Sequence, residues 1–330
     1  MESAAELLAS GGGDGLRWLE RLERVGPPAF RVTLPDVDAL APVLLDLAVP
    51  HEEIDALVRL RPSRQTSPAL WWILERCVHR LVRAMGEVGG DGAEAGPALP
   101  AHLGPIHRCF YVYVFAATLP YLRAYHRARG IPAAVSRQTL TDLGRHMAVH
   151  RWRSGETGLG RSWLPLHLRG LLFQLGRLQF ERQRAAAGLA EHCAAAGVAC
   201  VPGDPILAVH VPEFSGPLSP AACQRSLVWA RRFFARHFPD EPVRVATCSS
   251  WLLDEQLAEY LPADSNIVRF QRRFQPLRRW DDDQAVQTFV FGRQYPDPAQ
   301  IPRRTTLQRA IADHLRAGRH WRGVVGWLAL

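Results

Sequence analysis

Apolar positions recur along this chain in two rhythms, and the change falls near residue 160. Across residues 16–86 the period is helical: Leu16, Leu19 and Leu22 follow at three-residue steps, and Leu70, Ile73, Cys77 and Leu81 at steps of three and four. Such spacing stacks side chains on one helix face. Residues 1–14 end in Gly-Gly-Gly-Asp and predict a frayed tail, and residues 87–104, rich in Gly, Ala and Pro, predict an exposed loop. Residues 110–129 predict a strongly apolar helix, kinked at Pro120 and closed by Gly130 with Pro132 just beyond. Residues 139–152 predict another, stopping before Ser154-Gly-Glu-Thr-Gly-Leu-Gly160.

After Gly160 the period shortens to two. Leu166 and Leu168 alternate with His167 and Arg169, Leu171, Phe173 and Leu175 continue, and Leu178 and Phe180 fall on the opposite parity. A turn or bulge at Gly176 flips a strand face in this way. Two antiparallel strands are expected within residues 163–182 and a short apolar strand at 206–211, between Pro205 and Pro212. A helix at 220–238 follows, then a strand at 243–248, a short helix at 254–261, and strands at 266–274 and 285–291. The last helix starts near Thr305, where Thr305-x-x-Gln308 makes a capping box, and ends at Gly318. The fold class is therefore α+β: a helical N-terminal domain, residues 1–155, then a mixed β-sheet domain flanked by helices, residues 156–330.

Composition narrows the function more than the fold. The longest apolar stretches fall short of the roughly 20 residues that cross a bilayer, and the start MESAAELLAS carries acids where a secretion signal carries bases. A cytoplasmic protein without a membrane partner is expected. The net charge is +8, yet all 40 basic residues are arginine and Asn266 is the only asparagine. Lysine and asparagine both have A-rich codons, so a GC-rich genome accounts for the arginine without a nucleic-acid partner. Absence of lysine excludes Schiff-base chemistry and a Walker-type phosphate site. The six cysteines are scattered with no CxxC, which fits reduced thiols rather than a disulfide framework. His146 and His150 share a helix face but lack the glutamate of H-E-x-x-H, and His102, His107, Cys109, His192, Cys193 and Cys200 have no metal-type spacing. No metal site is expected.

The segment around the 206–211 strand carries the chemistry. Ser219 is a good N-cap and Pro220 suits the first helical position, while residues 220–226 contain no acid. A positive helix end beside a loop offering Ser215, Gly216 and the backbone of Leu218 favours an anion, and Arg225 lies early enough to reach a phosphate. His210 and Glu213 stand at the strand's exit, positioned either as bases or as a packing residue and a loop anchor. Cys248, Ser249 and Ser250 lack a G-x-S-x-G elbow and read as a cap or pocket lining. The run Arg269-Phe-Gln-Arg-Arg-Phe-Gln-Pro-Leu-Arg-Arg-Trp280 interleaves bases with aromatics, but Asp281-Asp-Asp283 follows at once, and it reads as a strand with a solvated arginine face.

The element order of the second half, with LAVHVPEFSGPLSPAACQRSL, ATCSSWLLDEQLAEYLPADSNIVRFQRRF and PRRTTLQRAIADHLRAGRHW, resembles bacterial acyltransferase-domain proteins that join a helical N-acyltransferase N-terminal domain to a GNAT-like C-terminal domain. The resemblance covers most of the chain. It implies transfer of an acyl group from coenzyme A to an amine, with acyl-CoA as co-substrate and a small-molecule acceptor. It also implies that the backbone of the central strand, around His210 to Pro212, stabilises the thioester oxygen, with Val209 and Val211 among the residues that bind the cofactor. The pyrophosphate would lie at Ser215, Gly216, Leu218, Ser219 and Arg225; the family loop Q/R-x-x-G-x-G/A keeps one glycine here, Gly216. Tyr260 stands where such enzymes place the tyrosine that protonates the thiolate, a site that also suits a core residue. A catalytically silent acyl-CoA- or partner-binding protein on the same scaffold remains the alternative.

Overall fold

In a computed structural model of the chain, which describes residues 3–89 and 94–330, two compact units are present, Met1–Phe173 and Gln174–Leu330. The first contains α1 (Ala4–Ala9), α2 (Gly12–Val25), α3 (Val37–Asp46), α4 (His51–Arg59), α5 (Pro68–Arg83), α6 (Ile106–Ala128), α7 (Ala133–Leu140), α8 (Asp142–Ser154) and α9 (Leu164–Leu168). Helix α6 is buried on every side from Cys109 to Leu119, as an all-round apolar helix must be. Its polar atoms are answered internally: the Tyr113 hydroxyl donates to the Leu57 carbonyl at 2.6 Å and Thr118 Oγ1 to the Val114 carbonyl at 2.8 Å.

The N-terminal segment is not frayed. Ser3 and Glu6 form a capping box on α1, and Leu7 and Leu8 are buried. A Cβ on Gly15 would stand 1.9 Å from the Leu8 carbonyl oxygen, so glycine is needed there for α1 and α2 to meet closely. Nor is the segment after α5 simply exposed: residues 90–93 lie outside the described ones, but Ala95 and Leu99 are buried. The helix expected over 139–152 is divided between α7 and α8. Residues 164–168 are helix rather than strand, because Leu164 and Leu168, four apart, both enter the helical core. That is why the first compact unit runs to Phe173 rather than ending at 155.

At Gly144 on α8 an added Cβ would meet the Ala48 carbonyl oxygen at 1.8 Å, while its N–H already donates to the Leu47 carbonyl at 3.1 Å. Gly144→Ala is therefore expected to destabilise by about 2 kcal/mol despite alanine's better helix propensity. Thermal unfolding checks this as a fall in Tm of roughly 5 °C, and an unchanged Tm would mean that α8 can move away from Ala48.

The second unit is a six-stranded sheet of order β1-β2-β3-β4-β6-β5. Its elements are β1 (Leu172–Leu175), β2 (Leu178–Arg184), α10 (Ala187–Ala195), β3 (Pro205–His210), α11 (Pro220–His237), β4 (Val245–Ser250), α12 (Asn266–Gln271), β5 (Gln275–Asp281), α13 (Asp283–Phe291), α14 (Thr306–Arg316) and β6 (Arg322–Ala329). Strands β2 and β3 are antiparallel, β3 and β4 parallel, and β6 runs antiparallel to both β4 and β5. Gly176, at φ +75°, makes the turn between β1 and β2. The short helix expected at 254–261 is a 3-10 helix over Glu255–Glu259, preceded by another over Trp251–Leu253.

The strands expected at 266–274 and 285–291 fall instead on helices Asn266–Gln271 and Asp283–Phe291, capped by Ser265 and Asp282, and the strand lies between them in the arginine-aromatic run. Strand β6 has no counterpart in the periodicity, because glycines interrupt it. A Cβ on Gly323 would come within 2.3 Å of the Trp280 ring and one on Gly326 within 2.9 Å of Phe274 Cβ. The gaps in its pattern are filled by its neighbours' aromatic side chains.

Candidate active site

Strands β3 and β4 are in register at Leu207↔Ala246 and Ala208↔Thr247. Beyond those residues each keeps its outer partner: β3 pairs with β2 as far as Gln179↔His210, and β4 with β6 as far as Ser250↔Val324. The sheet is thus opened between its two central strands at their C-terminal ends. Backbone groups on an opened inner edge need partners, and an extended amide-bearing ligand can supply them as an added strand does. Val209 lies in this stretch, buried at 1% exposure, with half-buried Val211 just past it.

The loop that leaves β3 is held from β2's side. Arg177 Nε donates to the Gly216 carbonyl at 3.0 Å and Nη1 to the Pro212 carbonyl at 3.2 Å. Arg177 is itself fixed, since Ser226 Oγ on α11 accepts its backbone N–H at 2.9 Å. Phe214 and Gly216 both have positive φ, +57° and +78°, so the loop turns through conformations that side chains resist. Ser219 Oγ caps α11 by accepting from Ala222 N at 3.3 Å, and the first turn has no acid. Ser215 donates to the Glu213 carbonyl at 3.2 Å, Leu218 is buried, and Arg225 is exposed one turn into α11. The cap, the glycine and the acid-free turn together make an anion-accepting helix end.

His210 closes β3 on the other face of the sheet. Arg182 of β2 pairs with Glu241 at 2.8 Å and covers the Phe238 ring at the end of α11, so Leu178, Phe180 and Arg182 face α11. Gln179 and Glu181 of β2, with Ala208 and His210 of β3, therefore face away from it. There His210 Nε2 meets Glu181 Oε2 at 2.8 Å, with side-chain exposures of 23% and 11%. A carboxylate oxygen accepts, so Nε2 carries the proton and the lone pair lies on Nδ1. Directly opposite His210 in register is Gln179, which is 1% exposed and has no hydrogen-bond partner for either side-chain atom among the described residues. Buried amides are rarely left so, and a ligand or water is the ordinary explanation.

Sequence reading reached His210 but missed Glu181, Gln179 and Arg177. The alternation Leu178-Gln-Phe-Glu places two polar side chains on one strand face, which was the available signal; their approach to His210 required the β2–β3 register.

Tyr260 is half-buried against Trp321 in a satellite core with Leu257 and Ile311. His314 Nε2 faces the His320 carbonyl at 3.2 Å, so that nitrogen holds the proton, and His314 Nδ1 accepts the Tyr260 hydroxyl at 3.0 Å. Burial keeps the His314 imidazole below the usual histidine range, which fits the neutral form. Cys248 is fully enclosed, and burial pushes its thiol up to about 12. No thiolate nucleophile is available there, and Ser250 Oγ caps the next turn by accepting Leu252 N at 3.1 Å. His146 of the helical unit stands 3.2 Å from the Asp142 carboxylate, and a Cβ on Gly158 would touch the His150 ring. Among the described residues no group of three or more metal-type ligands is set to hold an ion.

A mixed sheet opened between two parallel central strands, with a capped acid-free helix following the first of them, defines a GNAT-like acyltransferase. Residues 38–170 match the N-acyltransferase N-terminal domain, and residues 172–328 match the GNAT-like C-terminal domain. The chain belongs to the acyltransferase family built from these two domains. A solved acyltransferase in complex with decanoyl-CoA is 41% identical, with 100% of each chain covered and a TM-score of 0.90. Another, in complex with decanoyl-CoA and teicoplanin, is 39% identical over 100% of each chain at the same TM-score of 0.90. A mutant acyltransferase in complex with octanoyl-CoA is 38% identical over 99% of each chain, again at 0.90. No curated relative matches the chain.

Proposed function

We propose that the protein transfers a medium-chain acyl group from coenzyme A to an amine on a glycopeptide-like acceptor, by direct attack and without a covalent enzyme intermediate. The opening between β3 and β4, with His210 and Glu181 at its mouth, carries the reading. The octanoyl- and decanoyl-CoA complexes of related enzymes support the donor class, and the teicoplanin complex supports the acceptor class.

Pantetheine adds along the opened edge of β3 at Val209 and Val211. The pyrophosphate lies against Ser215, Gly216, Leu218 and Ser219, with Arg225 near enough to contribute charge. His210 Nδ1 takes a proton from the acceptor ammonium, directly or through water, and Glu181 holds the imidazole in the required tautomer. The neutral amine forms the new N–C bond as the thioester C–S bond breaks, and backbone N–H groups of β3 stabilise the oxyanion. Glu213, at the mouth, serves as a second acceptor for the amine's protons, and Gln179 fixes the acceptor through its unanswered amide. Tyr260 gives the departing thiolate its proton by turning its O–H from His314, at a cost of about 1 kcal/mol for the exchanged hydrogen bond. Reaction and product release take place in the cytoplasm.

The test is an assay of free thiol and acylated product with octanoyl- and decanoyl-CoA and a glycopeptide bearing an amino sugar. Product with a new amide and stoichiometric thiol is expected, and Tyr260→Phe should lower turnover about 100-fold or more with Tm nearly unchanged. Absence of product with a rise of Tm on adding either acyl-CoA would favour a silent acyl-CoA-binding scaffold, and no rise with either would remove the donor assignment.

A further inference from the structure

The exposed face of α11 carries charge that this chain leaves unanswered. Arg225, Arg231, Arg232 and Arg236 are exposed, and Pro220–His237 contains no acidic residue. Among the described residues none of the four has an ion pair or side-chain hydrogen bond. Several other arginines of the same unit are answered: Arg182 and Arg184 by Glu241, Arg279 by Glu255, Arg303 by Asp313 and Arg319 by Glu259. Arg232 and Arg236, four apart, repel one another mildly on the helix surface. Between the arginines Val228 is 36% exposed and Trp229 40%, beside a shallow groove of about 320 Å³. An exposed tryptophan rimmed by arginines is the composition of a protein-binding hot spot. From Arg225 to Arg236 the patch runs about 16 Å, three turns of a helix.

An acidic protein and a nucleic acid both complement such a patch. The position of α11 decides between them. Its N-terminus borders the loop at the β3/β4 opening, where the acyl chain enters on a pantetheine arm. In coenzyme A the phosphate at the end of that arm continues into a nucleotide. In an acyl carrier protein it continues into a small, acidic, helical protein, which the arm's insertion brings against the surface beside that loop.

We propose that the Trp229, Arg232 and Arg236 face of α11 docks an acidic acyl carrier protein, which presents its acyl-phosphopantetheine to the β3/β4 opening in place of acyl-CoA. This inference rests on the acyl-transfer reading above. The step balances as before: the carrier thioester C–S bond breaks, the N–C bond forms, and the proton lost by the amine ends on the phosphopantetheine thiol.

The test uses a bacterial fatty-acid carrier protein loaded with decanoyl-phosphopantetheine. Binding is read by fluorescence anisotropy of the labelled carrier, and transfer by mass spectrometry, with decanoyl-CoA run in parallel. Wild type is expected to bind the carrier and use its acyl group. Arg232→Glu with Arg236→Glu, and separately Trp229→Ala, should lower carrier affinity and carrier-dependent kcat/KM tenfold or more, leaving decanoyl-CoA turnover within about twofold. Turnover of decanoyl-CoA with no carrier binding overturns the inference while leaving the acyl-transfer reading intact. Carrier binding that survives charge reversal, or is matched by a generic RNA at equal salt, also overturns it. Failure with both donors overturns the two together.

Discussion

His210→Ala is expected to lower kcat by about 100-fold to 10,000-fold, the range for loss of a positioned general base, with little change in Tm. The imidazole is only partly enclosed, it pairs with Glu181, and it stands where β3 loses β4 as a partner. Glu181→Gln should cost less, about tenfold. Glutamine can still accept from His210 Nε2, so the ring stays oriented, but the negative charge that stabilises the imidazolium is gone. KM for the acyl donor should be nearly unchanged in both variants, because neither side chain lies on the α11 side of the sheet, where the loop and helix cap are proposed to take the pyrophosphate. Added imidazole should restore part of the activity of His210→Ala by serving as an external base of matching pKa. A variant with wild-type kcat would leave His210 as a strand-end packing residue and move the chemistry to Glu213.

The strand–loop–helix at the centre was readable because its boundaries are chemical. Pro205 and Pro212 bracket an apolar run and Ser219-Pro220 starts a helix, so the expected 206–211 and 220–238 differ little from Pro205–His210 and Pro220–His237. Residues 266–291 came out inverted for the opposite reason. In a stretch as short as Asn266-Ile-Val-Arg-Phe270, helical and extended periodicities place apolar residues almost alike, and β-branched residues tilt the choice toward strand. The decisive marks were the caps, Ser265 and Asp282, whose side chains accept from the third residue onward. The candidate site was legible only where one residue announces itself. His210 is conspicuous at the end of an apolar strand; Glu181, 29 residues earlier, meets it through a sheet register that no local pattern contains. Arg177 is hidden in the same way, reaching 39 residues ahead to Gly216 from a turn that Gly176 marks.

The helical unit should lose stability in mild acid, and His126 should carry part of that loss alongside His146 and His150, whose pKa values burial also lowers. His126 on α6 is 2% exposed, its Nδ1 is 2.8 Å from Ser136 Oγ, and its Nε2 has no hydrogen-bond partner among the described residues. The rings of Tyr125 and Phe173 stand beside it. Burial pushes its pKa down from 6.5 to about 4. A folded-state value below the unfolded one means that the unfolded chain binds the proton first. The stability contributed by keeping this imidazole neutral is complete above about pH 6.5, falls as the pH drops, and is lost once the pH passes about 4. The shift corresponds to about 3 kcal/mol over that window. Glu53 opposes the trend in part: burial beside Arg151 raises its pKa, so acid relieves a buried carboxylate there. The comparison must therefore be with a variant rather than with pH 7 alone. In urea titrations at pH 7 and pH 4.5, the wild-type protein should lose about 2.5 kcal/mol more than His126→Gln between the two conditions. Equal losses would mean that His126 finds a proton acceptor on Nε2 or reaches water, and that its burial does not govern the acid sensitivity of the helical unit.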